Sequence, residues 1–572
     1  MKMRLKFLGT IGLVLLLAAG TRLSAADNPL IAAIKQGDAA RVRTLLQQHA
    51  DVNASDLDGT TALDWAVRRD DVETVGLLLN GGASATAANR YGISPLLVAC
   101  EIGNVEVIDK LLRAGADANS ANAAGETALM IAARTGKAAA VKRLVAGGAD
   151  INAKESVHGQ TALMWAAAED NLEATRMLLE AGANANTRTP AGFTALHFAV
   201  RAGNIPVVKE LVAHGAKVDD PIQPTAAPRA AAPMRTPAAP AAAGTGAAGA
   251  PRTPPAGGAV PASGSQPPTA SAPYGQRPAA AGNGNAGVTQ LLQVFNTGSR
   301  RGGGIGGTSP LVLAITNAHF ELASTLLDLG ADPNADGQGW TALHQLAWTR
   351  RPPVQHGLPP AVPTGNMTSL ELAEKLLQYG ADPDIRMTRE PADGARNILN
   401  RVGSTAFLQA AKLADIPYMK LLLEYGADPS IATAEGATAL MAASGVGIWQ
   451  VGENAGTNEE AFEAVKICYE HGNDVNAVDA NGDTALHGAA HRGANDIVSF
   501  LVEKGARLDV VDVIGWSPLT IAHGVLYPNT FNRHLDTEAL LIKLGANPGI
   551  GKARPEDLAP NDEGSIGTVG KR

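Results

Sequence analysis

His487 and His491 stand four residues apart, the spacing that brings two imidazoles to one face of a helix, where they could hold a metal ion. No Glu accompanies them and no third ligand follows at a known spacing, so no metal or other cofactor is expected. Gly302-x-Gly304-x-x-Gly307 has the letters of a phosphate-binding turn. It lacks the strand–turn–helix setting and the downstream acid that a dinucleotide requires. Nucleophile elbows, zinc-protease motifs and Cys/His arrangements are missing, so the chain is not expected to be an enzyme. Cys100 and Cys468, its two cysteines, sit at apolar helical positions as small core residues rather than as a disulfide framework. What remains is the chemistry of recognition, carried by Arg and aromatic side chains, the usual anchors of protein interfaces.

Those side chains are placed by a repeat. "TALDWAVRRDDVETVGLLLNGGA" at Thr61 returns in altered form at Ser94, Thr127, Thr161, Thr194, Ser309, Thr341, Thr405, Thr438, Thr484 and Ser517. A degenerate first copy begins at Asn28, which makes about twelve. A fixed period near 33 residues marks a stacked array. Thr or Ser caps a short Ala-rich helix, and Pro95, Pro310 and Pro518 occupy first helical positions where no N–H is needed. A turn with Gly103, Gly136 or Gly203 leads to a second helix with apolar residues at helical spacing, such as Val107, Leu111 and Leu112. Gly115, Gly148 and Gly182 end it, and a polar turn leads onward.

The pattern resembles the ankyrin repeat, TPLHxAxxxG…VxxLLxxGADvN, most closely at Thr194-Ala195-Leu196-His197 and Thr484-Ala485-Leu486-His487. Pro is Ala in most copies, and His is often Met, Leu or Asp. The resemblance implies an all-α solenoid of stacked helix pairs with β-turn or hairpin fingers along one edge, used for protein recognition. It also makes His487 the family's own structural histidine. The family's exposed columns are the residue before the Thr/Ser and the residue seven after it. Carried over, they nominate Arg68, Arg134, Arg201, Phe193, Trp340, Trp348 and Trp516 as partner-binding candidates, with Trp449 added from an insert.

The array has interruptions. Residues 1–26 read as a signal peptide: Lys2, Arg4 and Lys6, an uncharged apolar run from Phe7 to Gly20, then a small-residue junction cut between Ala26 and Asp27. No Cys follows the run, so no lipid anchor is expected, and no later segment suits a membrane span. Repeats one to six fill 27–219 and repeats seven to twelve fill 308–549, with inserts at about 350–367, 445–458 and 523–536; 550–572 is a flexible tail. Three inserts in alternate repeats could form a shared ridge bearing Trp449, Tyr527, Phe531, His356 and His534. Between the blocks, 220–307 is rich in Pro, Ala and Gly and is expected to be disordered, because such composition cannot offset the entropy of ordering. Within it only Ala286 to Phe295 has the makings of a short helix or docking peptide.

Closing a loop of that length instead of an ordinary finger costs only about 2 kcal/mol more. Burying the apolar face of one repeat on the next is worth more, at roughly 1.5–3 kcal/mol per large side chain. One continuous stack is therefore expected over two tethered domains.

The whole chain carries a net charge of −8, and loss of the four basic leader residues makes the mature chain −12. Nucleic acid is excluded as the main partner. These features lead to a monomeric, exported scaffold that binds another protein in the periplasm, with an extracellular location as the alternative. Two other readings stay open. One is an accessory subunit or enzyme of an envelope complex with its site in the C-terminal inserts. The other is a structural spacer tethered through the Arg-bearing insert.

Overall fold

The computed structural model describes residues 28–224, 306–352, 361–391, 399–448, 456–525, 532–551 and 553. The leader, the Ala26–Asp27 junction, Trp449, His356, Tyr527, Phe531, most of the 220–307 insert and most of the tail lie outside them.

The described residues form helices without an extended strand, 24 of them, and twelve helix pairs pack into one hydrophobic core. The polar fingers contain only isolated bridges, Ser55 with Thr61 and Ala121 with Thr127. Each first helix starts where the sequence offers a cap. Thr61 Oγ1 accepts the Asp64 N–H while the Asp64 carboxylate takes the Thr61 N–H, a reciprocal pair that satisfies two free donors. In the Thr-x-x-His copies the imidazole does this work. His197, His344 and His487 accept the backbone N–H of Thr194, Thr341 and Thr484 on Nδ1 at 3.1, 3.3 and 3.0 Å. The opposite nitrogens of His344 and His487 reach the carbonyls of Ser404 and Trp516 in the next finger. The Thr-x-x-His phrase is thus a clip between repeats as well as a cap.

A second clip runs along the fingers. The side-chain oxygens of Asn53, Asn119, Asn152 and Asn186 accept the N–H of Ser84, Asp150, Asn184 and Lys217, one repeat further on. The ladder crosses the insert without a break: Asp219 Oδ1 accepts the Asp332 N–H at 2.8 Å. The helices agree, since Ala195–Ala202 of repeat six packs against Pro310–Thr316 of repeat seven, and His319 Nε2 bonds the Arg201 carbonyl at 3.0 Å. Repeats six and seven are neighbours in one stack.

The insert leaves from a finger whose base is intact. In ordinary fingers one residue exchanges two backbone bonds with the far side of the turn: Asn89 gives its N–H to Ile93 and takes that of Gly92. Ile222 does the same with Thr308 and Gly307, at 2.9 and 2.8 Å. Met387 repeats it with Ser404 and Gly403 around the long finger before Thr405. The side chain differs in kind. Asn89, Asn122, Asp479 and Asp512 use a side-chain oxygen to collect the N–H groups of a tight turn. Ile222 and Met387 have none to collect, and both are buried instead. Gly307 must be glycine: its φ is +91°, and a Cβ would lie 2.1 Å from the Gly337 carbonyl oxygen.

The C-terminal repeats are tied by ion pairs across the insert bases. Arg350 is bidentate to the buried Asp415 carboxylate at 2.7 and 3.0 Å, and Arg351 is bidentate to Glu460 at 2.7 and 2.9 Å. The Arg351 guanidinium holds the Glu460 carboxyl down at about 2. Arg492 donates to Asn458, which opens the helix after the second insert.

A candidate partner-binding face on the first helices

Stacking sets equivalent first-helix residues side by side, so the fourth and seventh residues after the cap become two adjoining columns. Lys35, Arg68, Arg134 and Arg201 occupy the seventh position, and Trp65, Trp165 and Phe198 the fourth. The columns interlock between repeats. Lys35 of repeat one lies over the Trp65 ring of repeat two, 4.2 Å from its centroid, and Arg134 of repeat four lies 5.4 Å from that of Trp165 in repeat five. Arg68 of the same repeat lies 6.0 Å from the Trp65 centroid.

The nominated residues divide by burial. Arg68 is exposed and Arg134 half-exposed. Arg201 is partly buried, and burial pulls the pKa of its guanidinium down. Phe193 and Trp516 are each 6% exposed and belong to the core. Phe193 packs edge-on to His197 at 6.0 Å, and Trp516 closes its finger on Asp512. Trp340 and Trp348 are half-buried and meet edge to face at 5.8 Å. Trp65 and Trp165 were not among the nominated residues. Their signal is plain in "TALDWAV" and "TALMWAA", a Trp at the same offset from the cap, but only the flanking columns were carried over.

The two halves differ in what their donors face. Around Trp348 the indole donors and Arg401 Nε are occupied. Its Nε1–H goes to Gln409 and that of Trp340 to Gln345, both at 3.1 Å. Arg401 stacks on Trp348 at 5.3 Å while its Nε binds Glu390 at 2.8 Å. In the N-terminal half, Arg134 makes the ring contact but no ion pair among the described residues. The Trp165 Nε1–H is buried without an acceptor among the described residues. Recognition capacity is therefore unspent in repeats four and five.

The histidine pair has a different use. His487 is engaged at both ring nitrogens, and His491 Nε2 faces Asn532 at 3.4 Å. Burial drives both down to about 4, so they stay neutral. Among the described residues no three metal-binding side chains converge. Cys100 is fully buried and its thiol pushed up to about 12. Of the ridge residues, only His534 lies within the described structure, where Nε2 bonds the His491 carbonyl at 2.9 Å. No described helix is long and apolar enough to cross a membrane.

The match to models of a known family agrees with this architecture. The family model for ankyrin repeats in three copies matches residues 7–89, 71–155, 141–222 and 454–550, and the single-repeat model matches 306–337. An ankyrin repeat domain-containing protein of monkeypox virus is 38% identical over 61 residues, 11% of this chain. The match spans 14% of that relative's length. Among solved structures, the ankyrin repeat domain of Bcl-3, of the IkappaB family, is 32% identical with a TM-score of 0.32, covering 34% of this chain and 88% of that one.

Proposed function

The chain belongs to the ankyrin-repeat family, and from that premise we propose a non-catalytic scaffold of the cell envelope that captures a partner protein on the first helices of repeats one to six. Ankyrin repeats are generally protein-interaction modules rather than enzymes. The observation that carries the reading here is the ladder of cations over indoles, with Arg134 and Trp165 left without acceptors among the described residues. Polar groups buried without partners are costly, and an interface that pairs them recovers that cost. Export rests on the basic and apolar leader with its small-residue junction.

One observation favours a catalytic alternative in the C-terminal inserts. A cavity of about 300 Å³ at the last repeat is lined by Leu519, Thr520, His523, Glu538, Ile542 and Ile550. His523 Nδ1 lies 2.8 Å from Glu538 Oε1, as a general base and its orienting acid would. Thr520, the hydroxyl in that lining, donates to the Gly551 carbonyl.

A photo-crosslinking residue at exposed Glu101, in the seventh-position column, tests the scaffold reading against one at exposed Lys142 on a second helix. In living cells position 101 should give a discrete adduct and position 142 none. Equal labelling at both, or none at 101, contradicts the reading.

A further inference from the structure

Repeats two and five contain the same three-part arrangement, and one part is absent from the second. In repeat two the Asp56 carboxylate bridges two donors: Oδ2 accepts the Trp65 Nε1–H at 2.8 Å and Lys35 Nζ at 3.0 Å. Lys35 comes from the preceding repeat and stacks on the same indole. Cation, indole and acid form one closed unit.

In repeat five the cation is Arg134, again from the preceding repeat and again over the ring, and the indole is Trp165. The residue in the place of Asp56 is Glu155, since each opens the backbone pairing of its finger. Its carboxylate is turned away. The finger "ESVHGQ" is one residue longer than "DLDGT", and Glu155 collects the N–H groups of Val157, His158 and Gln160 at 2.6, 2.9 and 2.9 Å. Glu155 is 4% exposed and fully used inside the finger. The Trp165 nitrogen is left buried with no partner among the described residues, on a residue that is 7% exposed.

We propose that the missing acid is supplied from outside. A side-chain carboxylate, Asp or Glu, of an extended partner peptide bridges Trp165 Nε1–H and the Arg134 guanidinium as Asp56 bridges Trp65 and Lys35. Arg134 is half-buried and lies over the indole, within reach of an acid that approaches the same ring. A carboxylate satisfies both donors, as Asp56 does in repeat two: it offers several lone pairs to the two N–H groups and neutralises a cation that has no acid among the described residues. Trp165 is thus the specificity-determining residue of this face. This inference rests on the proposal that the face binds a partner, and it adds the chemistry of the residue recognised.

The test uses the full chain labelled with ¹⁵N-tryptophan, whose six indoles give separate N–H signals. The Trp165→Phe variant assigns one signal. The probe is N-acetylglutamate N-methylamide, with its glutamine analogue as the uncharged control. The Trp165 signal should shift saturably with the glutamate probe and not with the control, while the Trp65 signal, already paired, stays still. Arg134→Gln should weaken the response about tenfold, the scale of one charge-assisted bond. Asp56→Ala should make Trp65 respond as well. A Trp165 signal that does not move, or moves equally with both probes, overturns the inference. Because the probe contains no partner protein, that outcome leaves the crosslinking result at position 101 to judge the scaffold reading separately.

Discussion

Ile222 and Thr308 share a backbone hydrogen bond of 2.9 Å although residues 223–307 lie between them in sequence. The bond closes the base of a finger whose turn has been replaced, and it keeps repeats six and seven in register. Removal of 225–305 with Pro224 joined to Gly306 through a short Gly/Ser turn should therefore leave thermal unfolding essentially unchanged. A deletion that also takes the fully buried Ile222 should cost about 2–5 kcal/mol. Urea unfolding followed by circular dichroism separates the two. Equal stability of both deletions contradicts this account of the junction.

Asp415 has its carboxylate almost fully buried and held at both oxygens by Arg350, which also lies over the Tyr418 ring. Asp415→Ala leaves a guanidinium without its acid and should destabilise the C-terminal repeats by about 3–5 kcal/mol. Replacing Arg350 and Asp415 together by Met and Leu should cost much less. Similar losses in the single and double variants count against a coupled pair.

Acid should loosen the stack above the pH range where carboxylates titrate. Burial lowers His197 to about 3 and His344, His487 and His491 to about 4, from an ordinary value near 6.5. A histidine whose folded pKa is depressed costs nothing above its unfolded pKa. As pH falls below 6.5 the unfolded chain takes up the proton and the folded chain does not, so stability drops until the folded value is reached. Each such group contributes a slope of about 1.4 kcal/mol per pH unit. The urea midpoint should fall steeply from pH 6.5 to 5, and His344→Gln should flatten that limb. A midpoint constant over this window refutes it.

The periodicity carried most of the fold. Caps, helix ends, finger positions and the stacking of one Ala-rich helix on another are local or nearest-neighbour matters, and a repeated sequence states them many times over. Two features needed coordinates. Ile222 and Gly307 look like part of the insert by composition, yet their backbone pairing makes them finger. The binding face was only half legible. Spacing placed Arg68 and Arg134 in a column, but whether a side chain is spent depends on neighbours a repeat away. Phe193 and Trp516 stand at finger positions and are still buried, Phe193 against His197 and Phe198 of its own repeat. The idle Trp165 donor is legible only beside Asp56 and Trp65, since it follows from which way a carboxylate turns.

Export predicts a defined mature end. The chain recovered from the envelope fraction of its native cells should begin at Asp27 by N-terminal sequencing. Recovery with residues 1–26 attached, or from the cytoplasm, contradicts the proposed location.

The central claim is that the cationic first-helix face of the N-terminal repeats does the binding. It is tested most directly by the crosslink from position 101 in Arg68→Glu/Arg134→Glu. Arg68 is exposed, and Arg134 is half-buried with its guanidinium over the Trp165 ring, so the variant should remain folded with at most a small drop in thermal unfolding. The adduct should fall at least about tenfold, as expected when the sign of two interface charges is reversed. An undiminished adduct in a folded variant would place the partner elsewhere on the molecule.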